Sequence, residues 1–381
     1  MPNSKSYDKY TKVITADFPR FTVHSSIPTG ASLSIVFDHY RLHRDKVNGK
    51  RTPLNLFFMS GTGMTKSIWM YYIKRLFQYS ESNANELSWQ LVNCVALDLV
   101  NHGDSAMEND GLLGWEIDWR DGSHDLIQVV KFLRLGGANV AVGHSMGGFQ
   151  VLYSSVVAPK MFKFVVAIEP VTHRKISASS EDMAGFQKLM WSLDKAIRSE
   201  FKDEQDFQTY FKQFSFYKNF NEEIFQDFLN SEKLINKDGT IAVKTSKQQQ
   251  LLCYFGGIRT FPLGLDIIKQ ITTPVVHIVG GKGKWNSESD VKEANDAMGD
   301  NLDFVVVPEG EHLLNCERPD DVLDIIKAKL SGYITPRSDV DEYGFIEMDS
   351  VKGSRDQFKG IFDFNYEMIV KEYFTPRSSK L

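Results

Sequence analysis

The sequence predicts an α/β protein: a mostly parallel central sheet with helices on both faces and a helical cap inserted over one edge. Three observations carry this reading. Apolar, β-prone runs recur at short intervals and alternate with helical periodicity, as strands joined by crossover helices do. The pattern stops over residues 171–265, where Phe, Gln, Lys and Glu dominate and aromatic residues fall at helical intervals, and it then resumes. Finally, "VAVGHSMGGFQ" (140–150) places one serine between glycines directly behind an apolar run.

Taken in order, residues 1–30 read as an irregular arm. "ASLSIVFDHYRLH" (31–43) alternates apolar and polar as a half-buried strand does, and "RTPLNLFFMSGTG" (51–63) is an apolar strand stopped by glycines. "WQLVNCVALDLVNHGDS" (89–105) repeats that form. Residues 122–135 carry Leu126, Val129, Val130 and Leu133 at helical spacing. Strand 139–144, helix 147–158 and the buried strand 162–170 follow. Residues 171–265 read as a helical cap laid over the sheet, its aromatic rings serving chiefly as helix packing. The strand pattern returns at 271–280 and 301–310, and 320–332 closes as a helix with a glycine stop. The core thus comprises 31–170 and 266–332. Residues 333–381 form a tail with one amphipathic piece at 357–374.

Composition narrows the function. The chain has 381 residues, 42% hydrophobic and 24% charged, enough for a large core. A net charge of −5 without a basic tract excludes a nucleic-acid footprint. Cys94, Cys253 and Cys316 cannot all pair within one chain and show no metal-type spacing, so free thiols and no metal are expected. The N-terminal stretch lacks the apolar core of a secretory signal. No apolar run approaches the roughly 20 residues that span a bilayer. The chain closes on Ser379-Lys380-Leu381, a receptor-read peroxisomal address, which predicts an import receptor as partner and the peroxisomal matrix as location.

The chemistry centres on Ser145. In G-x-S-x-G (143–147) a sharp strand-to-helix turn presents the serine hydroxyl, which needs a base, an acid to orient that base, and donors for an oxyanion. His312, after a strand and a Pro-Glu-Gly turn, is the candidate base. His277 inside a strand, His124 on a helix and His144 on the elbow, with its side chain expected to point away from the apex, have less to recommend them. Met146, next to the nucleophile, supplies one oxyanion amide. Thr62, between glycines in "SGTGM" (60–64), supplies the other. Two places compete for the acid. The loop "GGKGKWNSESD" (280–290) offers Glu288 and Asp290, but glycine and lysine stand where an aspartate is usual. Glu169 in "AIEPV", at the end of a neighbouring strand, is favoured, with Asp290 as the alternative.

"SGTG" (60–63), "DLVNHGDS" (98–105), "GHSMGG" (143–148) and "GEHLLNCERPDDV" (310–322) together resemble the α/β-hydrolase superfamily over about residues 30–332. Asn101 stands where that family usually has glycine, and Ser60 where it commonly has histidine. Some members, the haloalkane dehalogenases among them, place the acid after the same strand as Glu169. The resemblance implies a lipase or carboxylesterase acting on lipophilic, lipid-derived acyl esters, with no cofactor. An acyl-CoA thioesterase or acyltransferase would use the same residues, and the basic run His173-Arg174-Lys175 is a candidate contact for a CoA phosphate. A non-catalytic ligand-binding homologue is the third reading, and it would need neither Ser145 nor His312.

Overall fold

The computed structural model describes residues 6–48, 50–174, 180–334 and 355–374. In chain order the first part comprises β1 (Tyr7–Thr15), β2 (Ser34–Leu42), β3 (Thr52–Met59), α1 (Met70–Ser82), β4 (Trp89–Leu97), α2 (Gly103–Glu108), α3 (Trp119–Leu133), β5 (Ala138–His144), α4 (Met146–Val157) and β6 (Phe164–Ile168). The inserted segment holds α5 (Ser180–Ala196), β7 (Glu200–Phe201), α6 (Glu204–Thr209), α7 (Glu222–Glu232), β8 (Lys233–Ile235), β9 (Ile241–Val243) and α8 (Lys247–Ile268). The chain then returns through β10 (Val275–Gly280), α9 (Glu288–Met298), β11 (Leu302–Val307), α10 (Leu314–Glu317) and α11 (Pro319–Tyr333). The described residues from 6 to 334 form one compact unit. In the second unit, α12 (Arg355–Phe374) stacks Phe358, Phe362 and Tyr366 along one side at centroid spacings of 6.2 and 5.7 Å. The expected address Ser379-Lys380-Leu381 lies outside the described residues.

Eight strands pair in the order β1-β2-β4-β3-β5-β6-β10-β11. β1, β2 and β4 pair antiparallel, and every pairing from β4 onward is parallel. Strands of period two send alternate side chains to opposite faces. Leu56, Phe58, Val140 and Val142 accordingly join one buried cluster, while Phe57, Ala141, Val165 and Ala167 join the other. The chain places β4 on one side of β3 and β5 on the other. A crevice opens at such a reversal, beyond the carboxyl ends of the strands. The loop after β3 and the turn after β5 both lie there.

Three sequence expectations are corrected. The N-terminal arm is not wholly irregular: β1 pairs with β2 from Tyr7–Leu42 to Thr15–Ser34. Its residues are exposed or half-buried, and it is held by Thr11 Oγ1 donating to Asp38 at 2.7 Å and by Lys9 at 2.8 Å from the same carboxylate. A polar edge strand has little hydrophobic alternation to read. The inserted segment is not wholly helical either, because β7, β9 and β8 form a small antiparallel sheet. Strands of two or three residues fall below the length at which alternation is visible. Lastly, α8 runs past residue 265 to Ile268. Among the described helices it alone is long and apolar enough to cross a membrane by length and composition. Here its Cys253, Gly256, Thr260 and Ile268 are buried, and the Cys253 carbonyl accepts from the Trp119 indole at 2.7 Å.

α1 and α9 fill connections for which the sequence reading gives no element. The aromatic stripe of the insertion packs on itself: Phe201, Phe207, Tyr210 and Phe211 lie with centroids 4.8–5.7 Å apart, and Tyr217 meets Phe228 at 4.7 Å. Phe207 is wholly buried. Phe207→Ala is therefore expected to cost about 3–5 kcal/mol, seen as a lower denaturation midpoint with an unchanged slope.

Candidate active site

β5 runs into Ser145, whose φ of 55° and ψ of −117° lie in a region that costs strain for any side chain, and α4 begins at the next residue. The turn is tight enough to need its glycines. A Cβ on Gly143 would stand 2.1 Å from the Gly147 carbonyl oxygen, and one on Gly147 would stand 2.6 Å from that of Met59. The Ser145 amide is anchored by donating to the Ile168 carbonyl at 2.9 Å. The hydroxyl is thereby projected over the sheet edge, and the α4 N-terminus directs the unpaired amide of Met146 there.

Glu169 directly follows β6 and also has a positive φ, 45°. Its backbone amide donates to Ile278 at 2.7 Å. Its buried carboxylate takes the Gly280 amide on Oε1 at 2.7 Å, and Asn286 Nδ2 on Oε2 at 3.3 Å. Oε2 also lies 3.1 Å from His312 Nδ1, and His312 Nε2 lies 3.1 Å from Ser145 Oγ. The three expected side chains thus stand in one hydrogen-bonded series. Within it, Nδ1–H donates to the carboxylate and Nε2 is left to accept from the serine. Asp290 stands elsewhere. It closes a capping box with Ser287 at the start of α9, its amide donating to Ser287 Oγ at 3.1 Å. Glu288 belongs to the same first helical turn. A Cβ on Gly283 would come within 3.1 Å of Glu169 Oε1, so glycine at this position leaves room for a carboxylate arriving from the next strand.

The loop after β3 lies against the elbow: a Cβ on Gly61 would be 3.0 Å from Ser145 Cβ, and Thr62 Oγ1 donates to Met146 Sδ at 3.7 Å. Part of its bracing comes from His102 and Tyr217, which the sequence reading does not single out. The Gly63 amide donates to His102 Nε2 at 2.9 Å, and Tyr217 from the insertion donates its hydroxyl to the Gly63 carbonyl at 2.9 Å. His102 Nδ1 then donates to Asn101 Oδ1 at 2.9 Å, so asparagine in place of the usual glycine fixes the His102 tautomer. Burial pushes His102 down to about 3, keeping it neutral. Ser60, in place of the common histidine, donates to the Thr65 carbonyl at 3.0 Å and accepts from Trp69 Nε1 at 3.0 Å.

His144 corrects an expectation. Its side chain turns toward the base, with Nε2 donating to the His312 carbonyl at 2.8 Å. Burial pushes it down to about 3 as well, so it serves as a neutral brace. His277 is buried against Asn295 at 2.6 Å, and His124, on α3, stands 3.3 Å from Asp17. Of the basic run offered for CoA, His173 is buried and Arg174 is half-buried. His173 lies 3.0 Å from Thr172 Oγ1, and Arg174 donates to the Trp285 carbonyl at 2.8 Å. Lys175 lies outside the described residues. Trp285 and Asn286, in the loop after β10, are the other missed neighbours; a tryptophan amid glycines and lysines is the one signal that marked them.

Comparison with known proteins supplies the family. Residues 56–325 match the model of the alpha/beta hydrolase family. The chain is 31% identical over 348 residues to the peroxisomal membrane protein LPX1 of Saccharomyces cerevisiae, covering 86% of this chain and 88% of that protein. It is similar in structure to the peroxisomal alpha-beta-hydrolase Lpx1 of the same yeast, with a TM-score of 0.81 and 27% identity over 98% of this chain and 100% of that one. E-2-(acetamidomethylene)succinate hydrolase superposes with a TM-score of 0.60 at 19% identity, covering 84% and 98% of the two chains, a likeness of fold.

Proposed function

Because the chain belongs to the alpha/beta hydrolase family, we propose that it is a serine lipase or carboxylesterase cleaving lipid-derived acyl esters through an acyl-enzyme on Ser145. His312 takes the hydroxyl proton on Nε2 as Ser145 Oγ attacks the ester carbonyl, then returns it to the departing alcohol. Glu169 orients the imidazole and stabilises its cation. The Met146 and Thr62 amides hold the tetrahedral oxyanion. A water activated by His312 then hydrolyses the acyl-enzyme. The observation that carries this reading is the pair of 3.1 Å contacts joining Ser145, His312 and Glu169 at the edge of the sheet.

The inserted segment acts as the cap. Gly63 shares a cavity with Tyr210, Phe211, Tyr217 and Phe228 of the cap, and its free volume of about 10 Å³ admits no more than a water. A fluorophosphonate probe tests the reading: it should label the wild type and fail to label Ser145→Ala. Hydrolysis of p-nitrophenyl esters faster than of acyl-CoA thioesters of equal chain length would favour the esterase over the thioesterase. Absence of both labelling and turnover would favour the ligand-binding homologue.

The site of action in this proposal is the peroxisomal matrix, reached through an import receptor that reads Ser379-Lys380-Leu381. The yeast relative, a peroxisomal membrane protein by name, supports the organelle. Pro376 discourages a helix from continuing into the tripeptide. Deleting the three residues should leave esterase activity intact in vitro and move a tagged protein from puncta to cytosol, provided that no full-length copy is present. Puncta that persist would refute the address.

A further inference from the structure

The loop after β10 lacks the acid a hydrolase would carry there, yet it touches both partners of the Ser145 hydroxyl relay. Asn286 Nδ2 reaches Glu169 Oε2 and the Pro170 carbonyl, both at 3.3 Å. The preceding Trp285 lays its ring over His312, with centroids 5.2 Å apart and planes only 24° from parallel. Trp285 is half-buried and held from two further directions. Arg174 donates to its carbonyl at 2.8 Å and sets a guanidinium 5.1 Å from the ring centroid, and Tyr254 packs on it at 6.1 Å. Arg174 stands where the chain leaves the sheet for the inserted segment, so the stack ties that exit to the base.

We infer that Trp285 is a positioning residue for His312: its indole holds the imidazole in the plane that joins Ser145 to Glu169, and its negative π face favours the imidazolium formed when the serine proton moves. This rests on the serine-hydrolase reading. A tryptophan face is the strongest of the aromatic partners for a cation, and the attraction exists only while the imidazole carries its second proton. That is a contribution to the charged state that an aliphatic wall of equal size does not make. The other groups facing His312 are Glu169 on Nδ1, Ser145 on Nε2 and the His144 ring at 5.2 Å. Burial keeps His144 neutral, and it does not compete for a proton. Arg174 sits against the indole at 5.1 Å, and Lys282 of the same loop is paired with Glu309.

The test measures the rate of Ser145 labelling by a fluorophosphonate across pH for wild type, Trp285→Phe and Trp285→Leu, with Trp285→Met in reserve if the branched side chain disturbs the loop. The midpoint of the acid limb reports the base in the free protein. Replacing the π face by an aliphatic side chain destabilises the imidazolium, so the midpoint should move to lower pH by about half a unit to one unit, and the plateau rate should fall roughly three- to tenfold. Trp285→Phe should recover most of both. A leucine or methionine variant with the wild-type midpoint, or a phenylalanine variant no better than either, overturns the role of Trp285 and leaves the serine-hydrolase reading standing. Wild-type protein that takes no label at Ser145 overturns both.

Discussion

Ser145→Ala and His312→Ala should each lower ester turnover by about 10⁴ or more while leaving the denaturation midpoint near that of the wild type. The two residues act as one device. Without the hydroxyl there is no acyl-enzyme, and without the imidazole nothing accepts the proton that makes the hydroxyl nucleophilic. The double variant should therefore be little worse than either single variant, because each has already lost the whole relay. Folding is insulated from the change. The tight turn is set by the glycines at 143 and 147 and by the Ser145 amide on Ile168, none of which the side chain supplies. Circular dichroism with steady-state kinetics on p-nitrophenyl esters checks both halves. Near-normal turnover by either purified variant would refute the mechanism.

Glu169→Gln should cost roughly 10²–10⁴ in kcat, whereas Asp290→Asn should leave kcat within about twofold of wild type. The amide keeps the volume of the carboxylate but removes the charge that faces the imidazolium. It can also offer an N–H where Nδ1 needs an acceptor, which selects the wrong tautomer. Glu169→Asp is informative as well. The acid reaches His312 from the strand on which β10 packs, so shortening it by one methylene should lengthen the 3.1 Å contact and lower kcat more than it changes KM. Asp290 is occupied with Ser287 in capping α9, so its loss should appear as a small decrease in stability, about 1 kcal/mol or less. A reversed pattern would move the acid into the 280–290 loop.

Sequence periodicity identifies the buried parallel strands because these are continuous apolar runs, and burial on both faces leaves no polar alternation to confuse them. β5 and β6, each buried along nearly its whole length, are of this kind. β1 and the strands of the small sheet escape for the opposite reason: they are exposed or too short, and their place is set by partners distant in sequence. The elbow is legible because its constraint is local. Glycines two residues before and two after a serine are required by atoms within the same turn, so the spacing itself records the geometry.

Contacts across the sheet edge are of another kind. From sequence, Glu169 and Asp290 are both carboxylates near a strand end. Only the parallel pairing of β6 with β10 brings the former to the Gly280 amide and to His312, while a helix cap claims the latter. The contact of His102 with Gly63, the inward turn of His144 and the Trp285 stack likewise depend on groups separated along the chain, from 27 residues for Trp285 and His312 to 168 for His144 and His312. The sequence by itself determined the strand-and-helix order and the local turn that presents Ser145, because those rest on interactions between near neighbours. The tertiary structure decided which acid meets the base, what braces the oxyanion loop and what covers the imidazole, because hydrogen bonds and ring stacking act over a few ångströms and leave no periodic trace in the chain.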